Sequence, residues 1–99
     1  MAKVTITFTE IAYADLEDIE SYISQDSPAI SRKFISRIFD RIDQLYNYPT
    51  SGKFVPEVKD PHIRELLLNK YRIIYRLLNE SEVQILRIVH GSRLLDIDF

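Results

Sequence analysis

The chain has 99 residues, 45% hydrophobic and 28% charged, which suits one modest globular core and excludes an intrinsically disordered chain. It contains no Cys, which excludes a disulfide framework and a cysteine metal site and fits a reducing cytoplasm. The net charge of -2 argues against wholesale nucleic-acid binding, no stretch approaches the roughly 20 apolar residues of a membrane span, and the N-terminal MAKVTITFTEIAYADLED has no signal-peptide pattern.

In chain order, residues 3–8, KVTITF, alternate Val4, Ile6 and Phe8 against Thr5 and Thr7 and read as a strand with one buried face. Thr9 can cap the helix that follows, in which Ala12, Leu16, Ile19 and Ile23 form one stripe up to Ser24. Ser27 caps a second helix and Pro28 suits its first position. Along it Ile30, Phe34, Ile38, Ile42 and Leu45 share a face that Ile35, Phe39 and Tyr46 widen, and Pro49 stops it. Either this helix is sandwiched or part of its face awaits a partner.

Residues 48–61, YPTSGKFVPEVKDP, read as a loop. Three strand-like runs follow: residues 62–68, 71–78 and 83–91. Asn69-Lys70 makes a tight hairpin turn, since Asn tolerates positive φ, and residues 79–82 make a polar one. The tail SRLLDIDF alternates Leu and Ile but is too short to assign. Residues 1–99 are thus one α+β domain of order β-α-α-β-β-β, with a helix hairpin on one face of a mainly antiparallel sheet.

Charge is unevenly spread. Residues 10–26 hold Glu10, Asp15, Glu17, Asp18, Glu20 and Asp26 and no Lys or Arg, whereas residues 32–93 hold twelve Lys or Arg against seven Asp or Glu. An acidic helix of this kind is commonly just a solvated face.

Two glycines cannot build a Gly-rich phosphate loop, two His without Cys make a poor zinc set, and no nucleophile-elbow pattern occurs. What remains is a set of cations: Arg64, Arg72, Arg76, Arg87, His90 and Arg93. In YRIIYRLL, strand alternation puts Tyr71, Ile73, Tyr75 and Leu77 toward the helices and Arg72, Ile74 and Arg76 on the opposite, open side. On the last strand Leu86, Ile88 and His90 share a face, and Arg87, Val89 and Gly91 the other. Together Arg and a neutral His could steady and cleave a phosphodiester. Equally, Arg72 and Arg76 could pair with acids of a partner or of this chain, with His90 a hydrogen-bonded strand-end residue. Tyr13, Tyr22, Phe39 and Tyr46 are candidates for a partly exposed groove.

ADLEDIESYI, GKFVPEV, IREL, YRIIYR and HGSR, taken in this order and spacing, resemble the ParE/RelE superfamily of type II toxin–antitoxin toxins, over nearly the whole chain. The resemblance implies the same β-α-α-β-β-β fold and a single toxin domain. It is closest to ParE, which implies a plasmid-stabilisation toxin that inhibits DNA gyrase, without enzymatic chemistry or cofactor, in the cytoplasm. It also implies neutralisation by a cognate antitoxin whose extended or helical segment wraps the toxin into a larger complex. Arg72 and Arg76, with Tyr13, Tyr22, Phe39 and Tyr46, are the expected antitoxin contacts. The alternative is a RelE/YoeB-like ribosome-dependent mRNA endoribonuclease, in which Arg72, His90, Glu57 and Arg93 would be catalytic. That set is incomplete: Ile63 and Glu65 stand where RelE has lysines, and Gly91 stands where YoeB has a tyrosine. A third option is an inactive homologue that serves only as antitoxin partner.

Overall fold

A computed structural model of the chain describes residues 4–92, so Arg93 and the alternating tail lie outside the described residues. Strand β1 (Thr5–Phe8) ends at Thr9, whose hydroxyl oxygen accepts a hydrogen bond from the Ala12 N–H at 3.0 Å and starts helix α1 (Glu10–Ser24). Ser27 likewise accepts from the Ile30 N–H and opens helix α2 (Pro28–Asp43), with Pro28 in the first turn, where no N–H is needed. A short 3-10 turn, Gln44–Tyr46, ends the helical hairpin. Between the two helices, Ser31 donates its hydroxyl to the Glu20 carbonyl at 2.9 Å, so a buried polar group is satisfied across the helix pair. Ile30, expected on the apolar stripe, is exposed; the buried stripe of α2 is Ser31, Phe34, Ile38 and Ile42, and Ile30 sits one residue, about 100°, off it.

The sheet also contains β2 (Lys53–Phe54), β3 (Ile63–Leu68), β4 (Tyr71–Asn79) and β5 (Glu82–His90), in the order β1-β5-β4-β3-β2. β1 runs parallel to β5, and every other pair is antiparallel. This is the expected β-α-α-β-β-β arrangement with one addition: β2 lies within the stretch read as a loop and extends the sheet edge by two residues. Asn69 takes a φ of 51°, the left-handed conformation the tight β3–β4 turn demands.

The main core lies between sheet and helices. Ala12, Leu16, Ile19, Phe34, Ile38 and Ile42 meet Leu66, Ile73, Tyr75, Val83, Ile85 and Ile88. The other face, expected to be open and on which the alternation of β4 places Arg72 and Arg76, is covered. Val55, Ile63, Ile74, Leu86 and Val89 form a second buried cluster with Val58 against it, to which, among the described residues, neither helix contributes. Val55 and Val58 come from the chain between β2 and β3, which folds back as a strap over this side.

β5 does not alternate simply. Ile74 pairs with Arg87 but Tyr75 pairs with Ile85, so Leu86 is an extra residue in a β-bulge. The bulge turns Leu86 and Val89 to the strap side and leaves Ile85 and Ile88 on the helix side. The expected grouping of Leu86 with Ile88 and His90 is therefore broken after Leu86. β1 stops opposite Ile85, and beyond it two side chains replace a strand neighbour. Thr9 donates to the Leu86 carbonyl at 2.9 Å, and Asp15 accepts from the Ile88 N–H at 2.9 Å.

Tyr75 ties the main core to the loop before β2. Its ring is fully buried, its hydroxyl donates to the Pro49 carbonyl at 2.8 Å, and it accepts from the Gly52 N–H at 2.9 Å. A Cβ on Gly52 would stand 2.5 Å from that hydroxyl oxygen and 2.9 Å from the Glu65 carbonyl, so only glycine fits. Gly52→Ala is expected to cost about 1–3 kcal/mol by overpacking, and Tyr75→Phe a similar amount, about 1–3 kcal/mol, by orphaning the buried Gly52 N–H and the partly buried Pro49 carbonyl. Burial raises the Tyr75 phenol above its ordinary value of 10.0. The folded state then keeps a proton that the unfolded chain releases, so stability falls as pH rises above about 10. Urea melts of wild type and Tyr75→Phe at pH 8 and above 10 should show this alkaline loss in wild type and less of it in the variant.

Candidate functional site

The register of β3 on β4 places Glu65 opposite Ile74 and Leu67 opposite Arg72, so Glu65 and Arg72 are diagonal neighbours on the strap face. The strap brings Glu57 to the same point. Arg72 donates from Nε to Glu65 Oε1 at 2.6 Å and from Nη2 to Glu65 Oε2 at 3.2 Å. It also donates from Nη1 and Nη2 to the two Glu57 oxygens at 2.6 and 2.8 Å. Four of its five N–H groups are thus committed to two carboxylates, both held in fork-to-fork geometry. The Arg72 side chain is 9% exposed, Glu65 2% and Glu57 24%. Hydrogen bonding, first to Glu57 and then to Glu65, raises the Arg72 guanidinium above its ordinary value.

Arg72 is therefore a buried ion-pair centre and not a residue on an open face, because acids of the same chain cover it. Arg76, one pleat further on, is half-buried under the same strap, and its Nε is buried without a hydrogen-bond partner among the described residues. Its charge adds a small contribution to the His62 backbone N–H, which chiefly holds the Asp60 carboxyl below its ordinary value.

His90 lies on the opposite side. It pairs with Tyr71 across the β4–β5 ladder, and the two rings meet edge to face at 5.6 Å. His90 Nδ1 lies 2.6 Å from the Ser92 hydroxyl and accepts from the Ser92 N–H at 3.2 Å. Around it opens a groove of about 860 Å3 lined by Tyr22, Ile23, Phe34, Asn69, Lys70, Tyr71 and His90. A smaller recess behind Tyr22 and His90 adds Asp15 and Asp18. His90 thus faces aromatic rings and two acids rather than a group of arginines.

The expected cation cluster is dispersed among the described residues. Arg64 donates to the Thr50 and Gly52 carbonyls, with its guanidinium over the Phe54 ring at 4.7 Å. Arg87 forks onto Asp15 at 2.8 and 3.1 Å, and Arg72 onto the two glutamates. Glu57 and Arg72 are together, His90 is across the sheet from them, and Arg93 lies outside the described residues.

The exposed aromatics divide between the two ends of the helix hairpin. Tyr13 stacks on Phe8 at 5.0 Å, and Phe39 meets Phe8 in a tilted contact at 5.8 Å. Tyr46 lies on the short turn that follows α2 and is also exposed. Tyr22, 70% exposed, belongs instead to the groove at the other end, beside His90. Sequence reasoning misses Glu65 and Asp15 as partners. The one usable signal is the acid inside the apolar run IRELLL, three residues from the end of a strand whose tight turn fixes the register and so its neighbour.

Comparison with known proteins agrees with this fold. Residues 6–95 match the sequence pattern described as "ParE toxin of type II toxin-antitoxin system, parDE". The chain is 33% identical over 94 residues to toxin RelE2 of Caulobacter vibrioides, covering 95% of this chain and 100% of that one. Among solved structures it is similar to a chromosomal ParDE toxin–antitoxin system from P. aeruginosa, with a TM-score of 0.72 and 26% identity, covering 89% of this chain and 96% of the other. It is also similar to the toxin–antitoxin complex RelBE2 from Mycobacterium tuberculosis, with a TM-score of 0.60 and 25% identity, covering 90% and 99%. The pattern match over almost the whole chain, with a fold and a relative that agree with it, makes this protein a member of the ParE toxin family of type II toxin–antitoxin systems.

Proposed function

We propose that this toxin acts by binding a protein target, DNA gyrase, rather than by cutting RNA, and that a cognate antitoxin neutralises it in the cytoplasm. One observation carries the first part. The arginine that a ribonuclease would need for phosphate is forked onto Glu57 and Glu65, a centre with one positive and two negative charges. A phosphate arriving there meets carboxylates before it meets a guanidinium, and His90 stands across the sheet, too differently placed to move a proton at the same atom. The acidic sequence pI of about 5.6 argues the same way, since ribosomal RNA favours basic surfaces.

The antitoxin part draws on the two similar structures, which come from toxin–antitoxin systems. The exposed rings of Tyr13, Phe39, Tyr46 and Tyr22 offer apolar contact area along the helix hairpin, and an antitoxin segment that folds on binding would cover them.

The test is a paired assay on purified protein, with gyrase supercoiling and cleavage-complex formation in one arm and programmed ribosomes with mRNA in the other. Gyrase poisoning with intact mRNA is the expected result. Ribosome-dependent cutting would overturn the proposal in favour of the endoribonuclease reading. Folded protein silent in both arms would overturn it in favour of a homologue that only partners its antitoxin.

A further inference from the structure

We propose that residues 55–58, Val-Pro-Glu-Val, are a displaceable internal ligand, and that the sheet face beneath them binds an extended peptide carrying one carboxylate between aliphatic side chains. The proposal is independent of which cellular target the toxin poisons.

The strap shows what the face accepts. Val55 is 1% exposed and, with Val58, covers Ile63, Ile74, Leu86 and Val89. Between them Glu57 places both carboxylate oxygens on Arg72. Recognition is by side chains. Among the described residues, the backbone of residues 55–58 makes the local turn bond from the Val58 N–H to the Val55 carbonyl and Pro56 has no N–H to give, while pairing with β4 resumes only at His62, whose carbonyl accepts from the Leu77 N–H. Another segment with the same side-chain chemistry can therefore occupy the face without reproducing a hydrogen-bond ladder.

Charge makes the exchange feasible. Breaking a buried ion pair is costly chiefly because it strands an unpaired charge. At Arg72, release of Glu57 strands no charge: Arg72 keeps its fork to Glu65, and Glu57 is already 24% exposed. Glu65, at 2% exposed, has no such freedom. The two glutamates are thus unequal: one is the permanent counter-ion, the other a replaceable occupant.

The position is also reachable. A cavity of about 370 Å3 opens beside the ion pair, lined by Arg72, Glu57 and Glu65 and rimmed by Lys53, Lys70 and the exposed Leu67. The two lysines would draw in an acid, and Leu67 offers an apolar landing point next to it. A peptide carboxylate matches this combination. A polyphosphate chain does not, because Glu65 remains to repel it.

The test uses the full chain and a capped, fluorescently labelled peptide, VPEVKD, copied from residues 55–60. Binding is measured by anisotropy on wild type, Glu57→Ala and Glu57→Gln, with melting curves confirming that each variant is folded. Both variants are expected to bind the peptide at least about tenfold tighter than wild type, which must first open its own strap. A peptide with Gln in place of its Glu should lose at least about tenfold. Hydrogen exchange at the Val58 N–H should speed up in the variants. Equal binding to wild type and variants, indifference to the Glu-to-Gln change, or an oligoribonucleotide that binds the variants as tightly as the peptide would overturn the proposal.

Discussion

Arg72→Ala is expected to lower stability by about 3–5 kcal/mol, the usual result of removing one partner from a buried ion pair. Glu65 would remain at 2% exposure with its counter-ion gone, and among the described residues no other cation is within hydrogen-bond range of it. For a domain of this size that corresponds to a melting temperature about 12 °C or more below wild type. Two further variants separate charge from shape. Glu57→Ala should cost much less, because Arg72 keeps Glu65 and the lost partner was partly in water. Arg72→Ala combined with Glu65→Leu should recover much of the loss, because no charge is then left buried. If Arg72→Ala melts within about 2 °C of wild type, the ion pair contributes little to stability.

This result bears on function as well. An Arg72 variant that loses toxicity through instability would mimic loss of an active-site residue. Melting curves and the recovered double variant must therefore accompany any toxicity assay at this position. Toxicity restored by Arg72→Ala with Glu65→Leu would mark Arg72 as structural; toxicity still lost from a folded double variant would mark it as a contact.

The helix hairpin and the three long strands are legible because each signal is local and repeated. Thr9 and Ser27 announce helix starts, apolar spacing of three and four residues gives the buried stripes, and Asn69 fixes a turn. Features that depend on one inserted residue or one distant partner are not legible. The bulge at Leu86 leaves no compositional trace, yet it reverses which residues share a face with His90. The strap is hidden for another reason. A stretch with Pro56 and Pro61 reads as a connection, and nothing local says that Val55 and Val58 will find an apolar sheet face to cover.

The same limit explains the candidate site. Arg72 and Arg76 on one pleat face is a correct local deduction, since alternation dictates it. That the face is covered is a tertiary fact, and it converts an apparent ligand-binding arginine into half of an internal ion pair. The cation cluster fails similarly. Arg64, Arg72 and Arg87 stand on three adjacent strands but reach Thr50, Glu57 and Asp15, one partner in each of three different segments. A set of like residues on neighbouring strands is a weak guide to a shared site when acids lie elsewhere in the chain to separate them.

Asp15→Ala should be the second most damaging of these changes, at about 2–3 kcal/mol, because a single carboxylate satisfies three donors at once. Those donors are Arg87 Nε, Arg87 Nη2 and the Ile88 backbone N–H, at 2.8, 3.1 and 2.9 Å. Asp15 and Arg87 are 12% and 17% exposed, so salt screens the pair only weakly. The fork to Asp15 raises the Arg87 guanidinium above its ordinary value, the direction expected when the charged form is held in the folded state. Asp15→Asn keeps an acceptor for Ile88 but not the charge, and should recover about half the loss. Hydrogen exchange distinguishes the two roles: the Ile88 amide should lose protection in Asp15→Ala and keep it in Asp15→Asn. Because this contact fastens α1 to the bulged edge of β5 directly behind Tyr22 and His90, loosening it should also widen the aromatic groove. Asp15→Ala would then weaken any ligand of that groove while leaving the strap face, on the far side of the sheet, unchanged.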